Sequence, residues 1–281
     1  MKEFYMLRRR TQRMSYCLLG LLLSLVCGLT VACGQDNTSA TSKTMTVGVN
    51  PTISVDIGNG SVSLHTGGSG AVVVNATKHS SGSPNDVAVD YTQASSTQVS
   101  ISSHQGGGFT SNSVDLDIAV PAQSTIDVKT GSGSIQANGT NGSLHLESGN
   151  GSISATNVQG TIFLKTDSGD ITTTSVKGQI TANTSNGDVH MNQMTLQTQA
   201  VIQTDRGSVS FEGSLNSRGT YQFETSSGTV DLTLPGNSAF HLNATVGNGS
   251  VTNAFGSNDV GSQPQAQLNV RSSDALTLKK E

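Results

Sequence analysis

The chain has 281 residues, of which 33% are hydrophobic, 4% aromatic and 12% charged, with no tryptophan and a formal net charge of −4. So little charge excludes a disordered polyelectrolyte, and the acidic balance excludes the basic footprint of a nucleic-acid binder. Serine (40), threonine (33), asparagine (20) and glycine (32) form a strand-and-turn alphabet poor in helix formers, which predicts an all-β chain.

Lys2, Arg8, Arg9, Arg10 and Arg13 precede an uncharged run from Cys17 to Ala32. A positive segment followed by a short apolar one is an export signal, and sixteen residues fall short of the roughly 20 that a spanning helix needs. Among the three cysteines only Cys33 follows a small residue, since Cys17 follows Tyr16 and Cys27 follows Val26. The stretch Leu29-Thr30-Val31-Ala32-Cys33-Gly34 resembles a bacterial lipoprotein lipobox, with Thr30 replacing the usual leucine. The resemblance implies cleavage before Cys33 and acylation of its sulfur, hence a signal peptide over 1–32 and an exported, lipid-anchored protein. Residues 33–43 then read as the acylated cysteine and a flexible polar tether. Without residues 1–32 the chain keeps 10 Lys+Arg against 18 Asp+Glu, a net charge near −8, and it has no second cysteine for a disulfide.

Residues 44–130 are β-rich but irregular, with extended runs around Val72–Ala76, Asp86–Tyr91, Gln98–Ser102 and Val114–Val120. Within them only Gly60, with Val62 and Leu64, matches the repeat that dominates the rest of the chain. From Gly133 the sequence keeps a nine-residue beat, with glycine at 133, 142, 151, 160, 169, 178 and 187. Apolar residues stand two and four places after the glycine, as in Ile135/Ala137, Leu144/Leu146, Ile153/Ala155 and Ile162/Leu164. That alternation is a short strand with one buried face. Alternate segments add an apolar residue at the eighth place, Val158, Val176 and Met194, so the true unit is eighteen residues with two unlike halves. Such a unit cannot bury its apolar row alone. Stacked copies predict a parallel β-solenoid, a two-sheet roll over 131–280, capped by 44–130 as the irregular N-terminal part of the same domain. The beat loosens beyond Gln199 but continues at Gly207, Gly219, Gly228 and Gly249, and at Asp274 with Leu276 and Leu278.

The copies GNGSVSL at 58–64, DIAVPAQSTIDVKTGSGSI at 117–135, and SGNGSI, DSGDI, SNGDV, SSGTV and GNGSV between 148 and 251 resemble the bacterial putative-adhesin family, a domain of otherwise unknown function. The resemblance covers about residues 46–280. It implies a β-solenoid at the cell envelope, with adhesion or envelope-stress signalling in some members, and brings no catalytic residues.

No phosphate-binding loop, nucleophile elbow or zinc-helix motif occurs, and neither cofactor nor enzymatic activity is expected. One outward column, Ser134, Ser152, Asp170, Asp188 and Ser208, would stack Asp170 on Asp188 about 4.8 Å apart with His190 alongside. Two carboxylates and an imidazole are a candidate divalent-cation or acid/base site. The competing reading, which we favour, is that an aspartate after a turn glycine serves the corner. The sequence therefore points to a non-enzymatic, envelope-anchored, adhesin-like protein binding a surface partner or glycan. An envelope-stress sensor is the alternative, and a carbohydrate-active β-helix enzyme the second alternative.

Overall fold

The computed structural model describes residues 37–281 except 82 and 106–111. The signal peptide over 1–32 and the lipidation site at Cys33 lie outside the described residues. Of the described residues, 71% are strand, and the strands form one long sheet nearly closed into a barrel-like form. Among the described residues the only helical segment is a 3-10 turn at Pro84–Asp86, and no helix is long and apolar enough to cross a membrane.

The first part contains β1 (Asn37–Thr46), β2 (Thr52–Asn59), β3 (Val62–Thr66), β4 (Ala71–Ser80), β5 (Val87–Ser95), β6 (Gln98–Gln105) and β7 (Ser113–Val120). The regular part runs through β8 (Thr125–Ser132), β9 (Ile135–Asn138), β10 (Asn141–Asn150), β11 (Ile153–Thr156), β12 (Gln159–Ser168), β13 (Ile171–Thr174) and β14 (Lys177–Asn186). It continues through β15 (Val189–Arg206), β16 (Val209–Leu215), β17 (Thr220–Thr225) and β18 (Val230–Leu234). The chain closes with β19 (Phe240–Val246), β20 (Val251–Asn253), β21 (Asp259–Val260), β22 (Ala266–Ser272) and β23 (Leu276–Lys280).

Strands one eighteen-residue unit apart pair in parallel. Leu144 lies opposite Ile162, and Ile162 opposite Ile180; Ile153 lies between Ile135 and Ile171. Even-numbered strands from β8 to β14 make one row and odd-numbered strands from β9 to β13 another, and β15 is long enough to serve both. Inward residues of the two rows belong to one hydrophobic cluster, in which Ile153, Leu164, Ile171 and Val189 are fully buried. Val158, Val176 and Met194 are buried as well. Each such aliphatic side chain contributes about 1.5–3 kcal/mol relative to exposure. Glycine is required at the corners. At Gly160 (φ +130°) an added Cβ would collide with the Gly142 carbonyl of the preceding rung, and the backbone lies where L-residues are strained.

Chain order and spatial order part company at both ends. The pair β2/β3 lies inside, flanked by β6/β7 on one side and β8/β9 on the other. At the other end β22/β23 lies between β17/β18 and β19/β20. The antiparallel strands β4, β1 and β5 cover the N-terminal side, pairing with β7, β4 and β6 respectively.

Two expectations are corrected. Residues 37–43 are not tether but the first part of β1, paired with β4 from Asn37 opposite Ser80 to Thr46 opposite Ala71. Their polar side chains are mostly exposed, and the strand is held by backbone hydrogen bonds rather than by an apolar row. The copy at Gly249 does not bury its apolar residue, because β20 pairs on one side only and leaves Val251 48% exposed.

Candidate functional site

The outward column after the corner glycines forms a chain of bonds along the stack. The Asp188 amide donates to Asp170 Oδ1 at 2.9 Å, and the Ser208 amide to Asp188 Oδ1 at 2.7 Å. The Asp170 amide in turn donates to Ser152 Oγ at 3.3 Å. Each side chain thus receives the corner amide of the next rung, and for the two aspartates the bond is charge-assisted. Mutual repulsion is therefore only part of their energetics. His190 lies on β15, opposite Thr172 on one side and Ser210 on the other, with its side chain exposed. Asp170, Asp188 and His190 share a region but are not gathered around a point. Among the described residues no group of three or more His, Cys, Asp or Glu side chains is placed to hold a metal ion.

A second column, on the inside, has no counterpart among the motifs picked out from the sequence. Thr130, Ser148, Thr166, Thr184, Thr204, Thr225 and Ser272 are all buried. Their hydroxyls donate to the carbonyls of Gly60, Gly133, Gly151, Gly169, Gly187, Gly207 and Gly228, at 2.7–3.0 Å. The corner that needs glycine has a carbonyl turned away from the strand ladders, and the hydroxyl on the facing row satisfies it. The signal was there: Ser or Thr at the seventh place of the even segments.

Histidine–carboxylate pairs dot the outside, joining neighbouring strands: His65–Asp117, His79–Asp115, His104–Asp90 and His241–Asp259. On β10, His145 stands between Asp127 and Glu147 and meets the Phe163 ring edge-on at 4.5 Å. Partial burial pulls the Glu147 carboxyl upward. The hydrogen bond from His145 and the charges of Lys129, His145 and Lys165 outweigh it and hold the group below the usual carboxylate range. Asp56, Lys129, Glu147 and Lys165 alternate in sign along β2, β8, β10 and β12, beside a groove of about 240 Å³.

Further along the same row, β17, β22 and β19 present a denser polar cluster. Glu224, half-buried on β17, receives Gln222 Nε2 at 3.0 Å and Gln203 Nε2 at 3.4 Å on one oxygen, and Arg271 Nη1 at 3.3 Å on the other. Asn243 Nδ2 reaches Asn269 Oδ1 at 3.4 Å on the next strands out. Gln222, Glu224, Asn243, Asn269 and Arg271 line a groove of about 130 Å³. Beneath it Tyr221 is buried. Its hydroxyl donates to the Gln197 carbonyl at 2.6 Å and accepts the Asn216 amide at 2.9 Å, tying the turn after β16 to β15. Burial pushes the Tyr221 phenol up to about 12, against the lowering effect of the Asn216 backbone.

A model of the family described as Toastrack DUF4097 matches residues 50–279. Several solved structures match the chain at low identity. A putative adhesin from Bacteroides fragilis is 12% identical, covering 86% of this chain and 97% of its own, with a TM-score of 0.44. One from Parabacteroides distasonis is 13% identical, covering 87% and 98%, with a TM-score of 0.38. A putative cell adhesion protein from Clostridium sporogenes is 13% identical, covering 86% and 100%, with a TM-score of 0.27. No curated protein matches the chain.

Proposed function

Because the chain belongs to the Toastrack DUF4097 family, we propose that it is a non-enzymatic binding module of the bacterial cell envelope. In this reading its strands are the coils of a parallel β-solenoid, it is exported and lipid-anchored through Cys33, and its outer walls meet a surface partner or glycan. The observation that carries the proposal is the division of labour across each strand. Apolar side chains point inward in columns, with Thr173 a buried exception between Ala155 and Met191, while the outer walls are polar side chains held at rung spacing by the ladders. Of the large hydrophobics among the described residues, only Val49 and Val251 are exposed. A rigid polar wall of repeated small donors and acceptors suits extended, many-point contact better than enclosure of a small substrate.

The start of β1 supports a close anchor. Only Gly34, Gln35 and Asp36 separate Cys33 from Asn37, a reach of at most about 14 Å, so an acylated Cys33 would hold the domain against the membrane rather than on a long leash. Cells producing the wild-type chain are expected to be retained on immobilised envelope polysaccharide, with the protein in the detergent phase on extraction. Cys33→Ser is expected to move it to the aqueous phase or leave it unprocessed. Retention equal to that of cells lacking the chain would refute the binding role; a wild-type protein in the aqueous phase would refute the anchor.

A further inference from the structure

We infer that the groove on β17, β22 and β19 is a saccharide-binding site, and that it takes a neutral, polyhydroxylated chain rather than an acidic one. The inference rests on the binding-module reading and supplies its ligand class and its location. The cluster consists of planar side chains with paired donors or acceptors: Gln203, Gln222, Glu224, Asn243, Asn269 and Arg271. Adjacent hydroxyls on a sugar ring each donate and accept, and groups with two parallel donors or two acceptors match them pairwise.

The groups are set in advance. Glu224 is only 23% exposed and collects three donors on its two oxygens, fixing the carboxylate and turning both glutamine amides toward it. Within the chain those amides use their nitrogens, which leaves the oxygens of Gln203 and Gln222 to accept from a ligand. Arg271 is 68% exposed and spends one Nη1 bond on Glu224, keeping further N–H groups for an incoming oxygen. Side chains already locked by one another lose little freedom on binding.

Charge and topology exclude the other occupants. The arginine offsets the one carboxylate and the remaining lining, three amides with Thr245 and Val270, is uncharged, so nothing in the groove favours a polyanion. The backbone of β22, at the centre of the groove, is paired on both sides, with β17 and with β19, so a peptide strand has no edge to join there. Asn269 and Asn243 continue the row of Gln222 from rung to rung, so the site is open along the stack and suits a linear chain.

The test is a titration of the full-length protein in detergent with cellohexaose, chitohexaose and maltohexaose, with a polygalacturonate oligomer as the anionic comparison, read by ¹H–¹⁵N spectra. At least one neutral hexamer is expected to give saturable shifts of the Gln222 and Asn269 side-chain amides. Arg271→Ala and Gln222→Ala, each checked for a wild-type circular dichroism spectrum, are expected to weaken binding at least tenfold; Thr172→Ala on the opposite wall is expected to leave it unchanged. No saturable shift with any neutral hexamer, equal binding of the anionic oligomer, or full binding by both groove variants overturns the inference. If cells are retained on envelope polysaccharide as well with the groove variants as with wild type, the binding-module reading stands and this site falls.

Discussion

Replacing Thr166 with valine removes one hydroxyl and keeps the shape. The side chain is 1% exposed and its Oγ1 donates to the Gly151 carbonyl at 2.9 Å. Valine fills the same volume, so no cavity term enters, and the whole effect falls on a corner carbonyl that loses its partner inside the stack. Leaving a buried acceptor unpaired costs about 1–3 kcal/mol. For a domain of this size each kcal/mol corresponds to roughly 2–4 °C in Tm. Thr161→Val on the same strand changes an exposed residue and is expected to stay within about 0.5 kcal/mol of wild type. Urea titration and thermal melting of the three proteins measure the difference. A Thr166→Val protein as stable as wild type would mean that the hydroxyl column does not close the corners, and the reasoning built on it would fail.

Gly160→Ala is expected to cost more than about 1 kcal/mol, from the positive φ and from contact with the Gly142 carbonyl, whereas Gly68→Ala, with open space around it, should melt with wild type. Ile153→Asp places an unpaired carboxylate between Ile135 and Ile171 and should cost several kcal/mol, while Ser152→Asp stays near wild type; equal melting temperatures would refute the inward and outward assignment. Tyr221 titrates near 10 unfolded and about 12 folded, so its share of stability is intact below about pH 10 and is lost as pH rises toward about 12. Tyr221→Phe should cost about 1–3 kcal/mol at neutral pH by taking the donor from the Gln197 carbonyl, the Asn216 amide keeping its bond to the Leu196 carbonyl, and should flatten the alkaline fall in chemical-denaturation curves.

The apolar columns were readable because a period of two inside a period of nine leaves a mark that few other folds produce. Ile135, Ile153 and Ile171 sit in the register that the spacing predicts. The first strand was not readable. NTSATSKTMT shows no alternation, since nearly every side chain is outside and the strand is specified by backbone bonds to β4. The hydroxyl column hid in plain composition: in a chain with 73 serines and threonines, Thr166 looks no different from Thr161, although one is buried and the other faces water. The Glu224 cluster was concealed by topology. Its members come from β15, β17, β19 and β22, and β22 lies between strands that precede it in sequence, so no linear spacing brings Arg271 to Glu224. The aspartate column was legible as a stack but not as a relay of amide bonds, because a sequence does not say where a corner N–H points.

The strand order at the two ends bears on how the molecule comes into being and how it comes apart. Thr52 lies opposite Thr125, and Thr220 opposite Gln267, so neither end of the chain can settle until distant segments have arrived. A spool unwinds from its free end; here β2/β3 and β22/β23 are each wedged between strands from other parts of the chain. As the chain folds, the pair β2/β3 must wait, paired on neither flank, until later strands arrive, and folding dominated by such remote pairings is slow. Completion depends on the last fifteen or so residues, which enter a slot bordered by β17/β18 and β19/β20. A chain cut short before Ala266 would leave that slot open, exposing the bare edges of β17, β18, β19 and β20 to whatever neighbour could fill them.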